Sequence, residues 1–271
     1  METQVEPAAE VTDTAAIAEI QRRQQQAKRD APQQPKQVGW QDLADRLPPP
    51  DEQRQARLEQ LYSRQEAQKK AAEKRAALSS LEMAAGSRYV HCRLNNYRVY
   101  DDAQSRVTSA LREYLETLSD RIAACEGVIL YGPVGTGKDH LAYAICRGAI
   151  RSLDSVGWTN GQAWFGKLRD NMDAGKSEAM AISELSRPPL LCISDPLPPV
   201  GPLTQHQTTM LYRLIDARYA SGRPTIVTVN VQDNADAEDR MGTATWDRLC
   251  HGAWKIRCDW PTIRIPSREI P

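Results

Sequence analysis

The sequence predicts an α/β fold in which helices cover both faces of a parallel sheet, and three observations carry the prediction. Short apolar or β-branched runs at 128–131, 155–159, 190–193, 225–229 and 254–258 recur along the second half of the chain. Segments with helical apolar spacing separate them, the alternation expected of a five-stranded parallel sheet and not of hairpins. The first run, Val128-Ile129-Leu130-Tyr131, leads into Gly132-Pro133-Val134-Gly135-Thr136-Gly137-Lys138-Asp139 and then a helical pattern at 141–146. Strand, glycine-rich turn, lysine and helix in that order build a loop whose backbone N–H groups can surround an anion.

Residues 1–50 are rich in Gln, Ala, Arg, Glu and Pro and poor in aliphatics. They are expected to form a low-complexity polar tail, largely disordered, with a helix possible over 15–29. Trp40, Leu43 and Leu47 form an isolated apolar stripe at helical spacing, suited either to a partner or to a weak contact with the chain's own domain. From 51 to 85 there is no Gly or Pro. Asp51 and Glu52 suit a helix start and Gly86 its end, so 51–86 is read as a helical arm. Leu58, Leu61 and Tyr62 give it a short apolar face, whereas 65–77 is alanine and charge without a lasting heptad. Lys69-Lys70 and Lys74-Arg75 alternate with Glu66 and Glu73, which favours a solvated face over a nucleic-acid contact.

The domain that carries the anion-binding loop is expected over 87–271. Asp101 or Asp102 caps a helix whose apolar side is Val107, Ala110, Leu111, Tyr114 and Leu115. After the glycine-rich loop, 161–171 reads as a helix facing inward with Trp164, Phe165 and Leu168. The run at 190–193 is of the fully apolar kind that parallel sheets bury on both faces. A helix over 204–221 turns Met210, Leu211, Leu214 and Ile215 to the core. Thr225-Ile226-Val227-Thr228-Val229 is strongly β-branched. A helical stretch at 236–249 precedes the last strand.

Charged residues make up 26% of the 271 positions and the formal net charge is zero, so no global basic field announces nucleic acid. Six cysteines show no paired C-x-x-C spacing; Cys250-His251 with Cys258 is the one metal-like grouping, and it is weak. The N-terminus is polar and acidic, unlike a signal peptide, and no apolar run approaches membrane-spanning length. A soluble, cytoplasmic protein without a membrane partner is expected.

In the loop, Lys138 would reach the outer phosphates of a nucleotide. The last loop position ordinarily offers a Ser or Thr hydroxyl to magnesium, and here it is Asp139. A carboxylate also ligates magnesium, but it sets negative charge close to the phosphates. Hydrolysis needs a further acid at the end of a second strand. The run at 190–193 delivers Ser194-Asp195, a serine where the first of two acids is usual. Asp195 could hold the metal with no further acid left as base, or orient water while Ser194 contacts the metal weakly, or cap a turn before Pro196; the first two readings imply slow hydrolysis. Asn230, after Val229, could sense the γ-phosphate or position water, or simply form a turn. Arg248 could complete a neighbour's site as an arginine finger or make a surface salt bridge, and Arg264 is open in the same way.

Taken together, these residues resemble the DnaC-type replicative helicase loaders and the related IstB-type transposition ATPases of the AAA+ class. The resemblance covers 86–271 and rests on Arg88-Tyr89, Cys92 to Tyr97, Gly135 to Leu141, 190–193, Arg223-Pro224-Thr225, Asn230, Trp246 to Leu249 and Trp260 to Arg264. It implies a three-layer P-loop NTPase core without a C-terminal lid, following a helical, partly disordered N-terminal extension. It implies ATP and Mg2+ as ligands, with Asn96 and Tyr97 near the adenine. Gly132, Pro133, Val134, Gly135, Thr136, Gly137, Lys138, Asp139 and His140 would form the nucleotide loop, and Asp139 and Asp195 would be the metal carboxylates. Asp195, Asn230, Arg248 and Arg264 fall at the second-strand acid, sensor 1, arginine-finger and sensor 2 positions. A helicase loader that assembles with ATP as a homo-oligomer on single-stranded DNA is the expected function, with the N-terminal arm on a replicative helicase. A transposition helper and a non-hydrolysing nucleotide-binding adaptor are the alternatives, the last motivated by Ser194 and Asp139.

Overall fold

The computed structural model describes residues 18–19, 21–23, 25–26, 52–175 and 177–264. The Trp40, Leu43, Leu47 stripe and most of the expected tail lie outside them; the described residues between 18 and 26 are helical. Helix α1 runs over Glu52–Ala85, as the absence of breakers requires. Every side chain from 62 to 76 is exposed, and Leu81 is the first to be buried in a core. A short 3-10 turn, Ser87–Tyr89, follows. Helix α2, Asp102–Glu116, is capped by Asp101, whose carboxylate accepts from the Gln104 amide at 2.8 Å. The unanticipated helix α3, Leu118–Ala123, precedes the sheet.

The sheet-forming region alternates as the pattern requires. Strand β1 is Val128–Tyr131, α4 Lys138–Ala149, β2 Val156–Asn160 and α5 Gly161–Asp173. Then come α6 Glu178–Ser186, β3 Leu190–Ser194, α7 Gln205–Ala220 and β4 Thr225–Val229. Helices α8, Asn234–Met241, and α9, Thr243–Cys250, lead to β5, Trp254–Arg257. The single helical stretch expected over 236–249 is therefore two helices, because Gly242 at φ 91° turns the chain between them. Helix α6 had no distinct signal.

All strand pairs are parallel, in the order β2-β3-β4-β1-β5. Alternate strand residues face opposite layers. Val128, Leu130, Leu190, Cys192 and Ile226 pack with Leu81, Leu111, Tyr114, Leu141 and Ile145 from α1, α2 and α4. Ile129, Leu191, Ile193, Val227 and Val229 pack on the other side with α5, α7, α8 and α9. The inward residues Met210, Leu211, Leu214 and Ile215 of α7 are buried as expected, each contributing about 2 kcal/mol of transfer free energy. Arg218, on the same helix, is 1% exposed. It donates to the carbonyls of Leu185, Ser186, Pro188 and Pro224 and to Thr225 Oγ1, joining the α6–β3 turn to the α7–β4 turn. No described helix is long and apolar enough to cross a membrane. All six cysteines are free, and no group of metal-ligating side chains that includes Cys250, His251 and Cys258 occurs among the described residues.

Candidate functional site

The strand order places β1 between β4 and β5, with β3 beyond β4, so the carboxyl ends of β1, β3 and β4 open on one edge. In an open parallel sheet that edge is where ligands bind. The glycine-rich loop leaves β1 there. Gly132 takes φ 133°, and a Cβ on it would lie 2.5 Å from the Cys258 carbonyl oxygen. Gly137 takes φ 86° as the N-cap of α4, where a Cβ would meet Ile263 Cδ1 at 2.8 Å and Tyr97 Cε2 at 2.9 Å. Glycine is required at both positions by conformation and by space.

No side chain caps α4, and the amides of residues 135–140 have no acceptor among the described residues. Unpaired donors and the positive end of the helix dipole make an anion site. Lys138 is folded back, its Nζ donating to the carbonyls of Gly132 at 2.9 Å and Pro133 at 2.7 Å. Burial lowers its pKa. The loop is braced from outside: Tyr97 Oη donates to the Thr136 carbonyl at 2.7 Å, and Trp260 Nε1 donates to the same oxygen at 2.8 Å. The Ile263 amide donates to the Gly135 carbonyl at 2.9 Å.

A cleft of about 390 Å³ opens at the loop, lined by Lys138, Asp139, His140, Asp195, Asn230 and Arg264 among others. The structure thus brings together residues that lie far apart in sequence. Asn230 Nδ2 donates to Asp195 Oδ1 at 2.6 Å. Asp195 takes φ 46°, unusual for a residue with a side chain, and its amide donates to the Thr228 carbonyl at 3.1 Å. Burial, and then the charge of Asp139, push its pKa up to about 6; Lys138, Arg264 and Arg240 act in the opposite sense. Arg240 fixes the surrounding backbone by donating to the carbonyls of Asn230 at 2.9 Å, Pro198 at 2.6 Å and Gly201 at 3.1 Å.

Asp139 is held by neutral hydroxyls. Its Oδ1 accepts from Thr228 Oγ1 at 2.7 Å and Ser194 Oγ at 3.0 Å, and its Oδ2 from Tyr89 Oη at 3.2 Å. Burial and Asp139 raise the Tyr89 phenol to about 12, so it remains a donor. Sequence reasoning gave no role to Thr228 or Arg240, nor to Tyr89 and Trp260, which it had noted only as carrying the resemblance. A threonine one place before the end of a buried apolar strand was the available signal for Thr228. Asp139 and Asp195 on one cleft are hard oxygen donors of the kind magnesium takes. The residues fit that ion.

The other expected positions divide. His140 lines the cleft, with Nε2 2.9 Å from the Arg93 carbonyl oxygen and a pKa lowered by burial. Asn96 is spent on its own turn, accepting from the Arg93 amide and donating to the His91 carbonyl. Tyr97 supports the loop from below. A neighbouring cleft of about 480 Å³ shares Ile263 and Arg264 with the first and is lined by Arg98 and Tyr100. Arg248 does not join the loop within one chain: its Nε is 2.8 Å from Asp216 Oδ1, and its guanidinium lies 4.8 Å from the Tyr212 ring centroid.

Four similarities to known proteins bear on this site. The family described as IstB-like ATP binding protein matches residues 50–269. The replicative helicase loader DnaC of Escherichia coli is 29% identical over 187 residues, spanning 66% of this chain and 73% of the loader. A Mycobacterium tuberculosis protein described as ATP-binding in an insertion sequence is 30% identical over 153 residues, covering 54% of this chain and 58% of the relative. The crystal structure of a DnaC helicase loader superposes with a TM-score of 0.57 at 20% identity, over 64% of this chain and 99% of that one. At that identity the superposition carries the fold, the P-loop α/β core.

Proposed function

Because the chain belongs to the IstB-like ATP-binding protein family, we propose that it is an ATP-binding accessory protein of DNA replication that acts as a helicase loader. The observation that carries the reading is the convergence of Lys138, Asp139, Asp195, Asn230 and Arg264 on the cleft where α4 presents its unpaired amides. Lys138 leaves the carbonyls of Gly132 and Pro133 to meet the outer phosphates, and Arg264 faces the same charge. The nucleoside extends toward Arg98 and Tyr100, across the Ile263–Arg264 wall that the two clefts share. Asp139 and Asp195 would hold magnesium, which neutralises phosphate oxygens when bound. The Asn230–Asp195 pair senses the terminal phosphate or orients water. With Ser194 where an acid is usual, hydrolysis is slow.

Arg248, outside its own chain's cleft, would exchange its pairing with Asp216 for the nucleotide of a neighbouring subunit in an ATP-dependent homo-oligomer. Contact with single-stranded DNA is supported by a cleft of about 630 Å³ lined by Lys74, Arg75, Arg93, Arg112, Arg147 and Arg151, of which Arg147 is paired with Glu82 at 3.0 Å. The segment 1–50 would engage the replicative helicase, by analogy with the Escherichia coli relative. The reading is tested by measuring ATP binding of the intact protein and of Lys138→Ala, together with co-purification of the helicase. ATP affinity lowered at least about tenfold in the variant supports it; no binding by either protein overturns it.

The insertion-sequence relative favours a second reading, a transposition helper of IstB type. Capture of a transposase in place of the helicase would select it. Ser194 at the end of β3 favours a third, a nucleotide-dependent adaptor that does not hydrolyse. Steady turnover that collapses in Asp195→Ala would eliminate it.

A further inference from the structure

Two residues depart from the phosphate-loop pattern, Asp139 on the helix and Ser194 on the strand. In P-loop NTPases the helix carries a hydroxyl and the neighbouring strand an acid, and both serve one magnesium ion. Here the strand carries the hydroxyl and the helix the acid, and they are in contact, with Ser194 Oγ donating to Asp139 Oδ1 at 3.0 Å. Register explains the contact. Ser194 of β3 is paired with Thr228 of β4. Alternation puts both on the face of Leu190, Cys192 and Ile226, which is the α4 face. Both hydroxyls therefore reach the first turn of α4 from beneath, and both donate to the same carboxylate oxygen.

We propose that Asp139 and Ser194 are one exchanged pair, in which the helix supplies the carboxylate that takes magnesium and the strand supplies the hydroxyl that positions it. Three observations assign the roles in this order. Asp139 lines the cleft, whereas Ser194 is 4% and Thr228 0% exposed and neither reaches it. The three donors on Asp139 are all uncharged hydroxyls, and it makes no ion pair among the described residues, so its charge is left for a cation. Its place in the first turn of α4 sets it at the positive end of the helix dipole, which offsets its closeness to the phosphates. Ser194 and Thr228 are thus positioning residues, and Asp195 is the second carboxylate of the site. The proposal rests on the nucleotide-binding reading of the cleft.

The test measures the affinity of the full chain for a fluorescent ATP analogue with Mg2+ and with EDTA, and takes the ratio. Bound Mn2+, counted by electron paramagnetic resonance, gives a second readout that needs no turnover. Metal is expected to strengthen binding at least about tenfold in the wild type and to lose most of that gain in Asp139→Asn, which keeps the acceptor and removes the charge. Ser194→Ala and Thr228→Val are expected to weaken Mn2+ binding about three- to tenfold, with Ser194→Thr restoring it. The double variant Asp139→Ser with Ser194→Asp re-creates the common arrangement. It should recover the metal gain that Asp139→Ser alone loses. The proposal is overturned if Asp139→Asn keeps the full metal ratio, or if a folded double variant does no better than Asp139→Ser. It is also overturned, with the nucleotide reading intact, if the wild type binds ATP equally with and without metal. Absence of any ATP binding, identical in Lys138→Ala, instead removes the nucleotide reading itself. Should the double variant not fold, Asp139→Asn and the Ser194 pair decide the matter.

Discussion

Asp195 carries two local costs. Its backbone sits at φ 46°, and its carboxyl is half in the protein beside a second carboxylate. The folded pKa of about 6 lies above the ordinary value of 3.8. A raised carboxyl binds its proton more tightly in the folded state, so its stabilising contribution is full below the ordinary value and is lost as pH rises through about 6. Asp195→Asn keeps the bond from Asn230, removes the charge and suits the left-handed backbone better. In EDTA at pH 7.5 this variant should melt a few degrees above the wild type, the gap narrowing as pH falls toward 4. Magnesium-dependent nucleotide binding should weaken in the wild type below about pH 6, where the proton competes with the cation. A flat wild-type profile would contradict both expectations. Arg218 presents the opposite balance, a buried cation each of whose three side-chain nitrogens donates to an acceptor. Arg218→Met leaves those carbonyls unpaired, and urea unfolding should show a loss of about 3 kcal/mol or more.

Among the elements, the loop between β1 and α4 is held by others more than by itself. Tyr97 and Trp260 come from either side of the sheet-forming region and donate to one carbonyl, that of Thr136. Either donor alone still satisfies that oxygen, so Tyr97→Phe or Trp260→Phe should cost about 1 kcal/mol of stability. Removing both frees the loop. The double variant should lose about tenfold in ATP affinity by titration, more than the product of the single effects. Strictly multiplicative losses would mean that the two bonds act apart.

At the level of the whole molecule, net charge of zero conceals strong local separation. Positive side chains from α1, α2, α4 and the 93–95 loop gather on one cleft, while the other sets the carboxylates of Asp139 and Asp195 among Arg88, Lys138 and Arg264. The basic cleft should contact phosphates one arginine at a time. Arg112→Ala with Arg151→Ala is expected to weaken single-stranded DNA binding and to reduce the slope of log affinity against log salt by about 1.4. ATP affinity should be unaltered by this pair. An unchanged salt slope would place the DNA elsewhere.

The amino-acid sequence by itself determined the elements and the loop, because both are written locally. Apolar runs bounded by turn residues mark the strands, Asp101 caps α2, and glycines of positive φ surround Lys138. It also set Asp195 and Asn230 just after strands whose ends the pattern fixes, whereas Arg264 followed only from the family resemblance. What it left open was set by register and packing. The pairing of Ser194 with Thr228 decides that two hydroxyls meet Asp139, and no spacing along the chain encodes which residues of two separate strands lie side by side. The break at Gly242, the burial of Arg218 and the diversion of Asn96 into its own turn arise in the same way, from contacts between distant segments. Asp139 and Ser194 read one at a time are two departures from a motif; only the tertiary structure makes them a hydrogen-bonded pair.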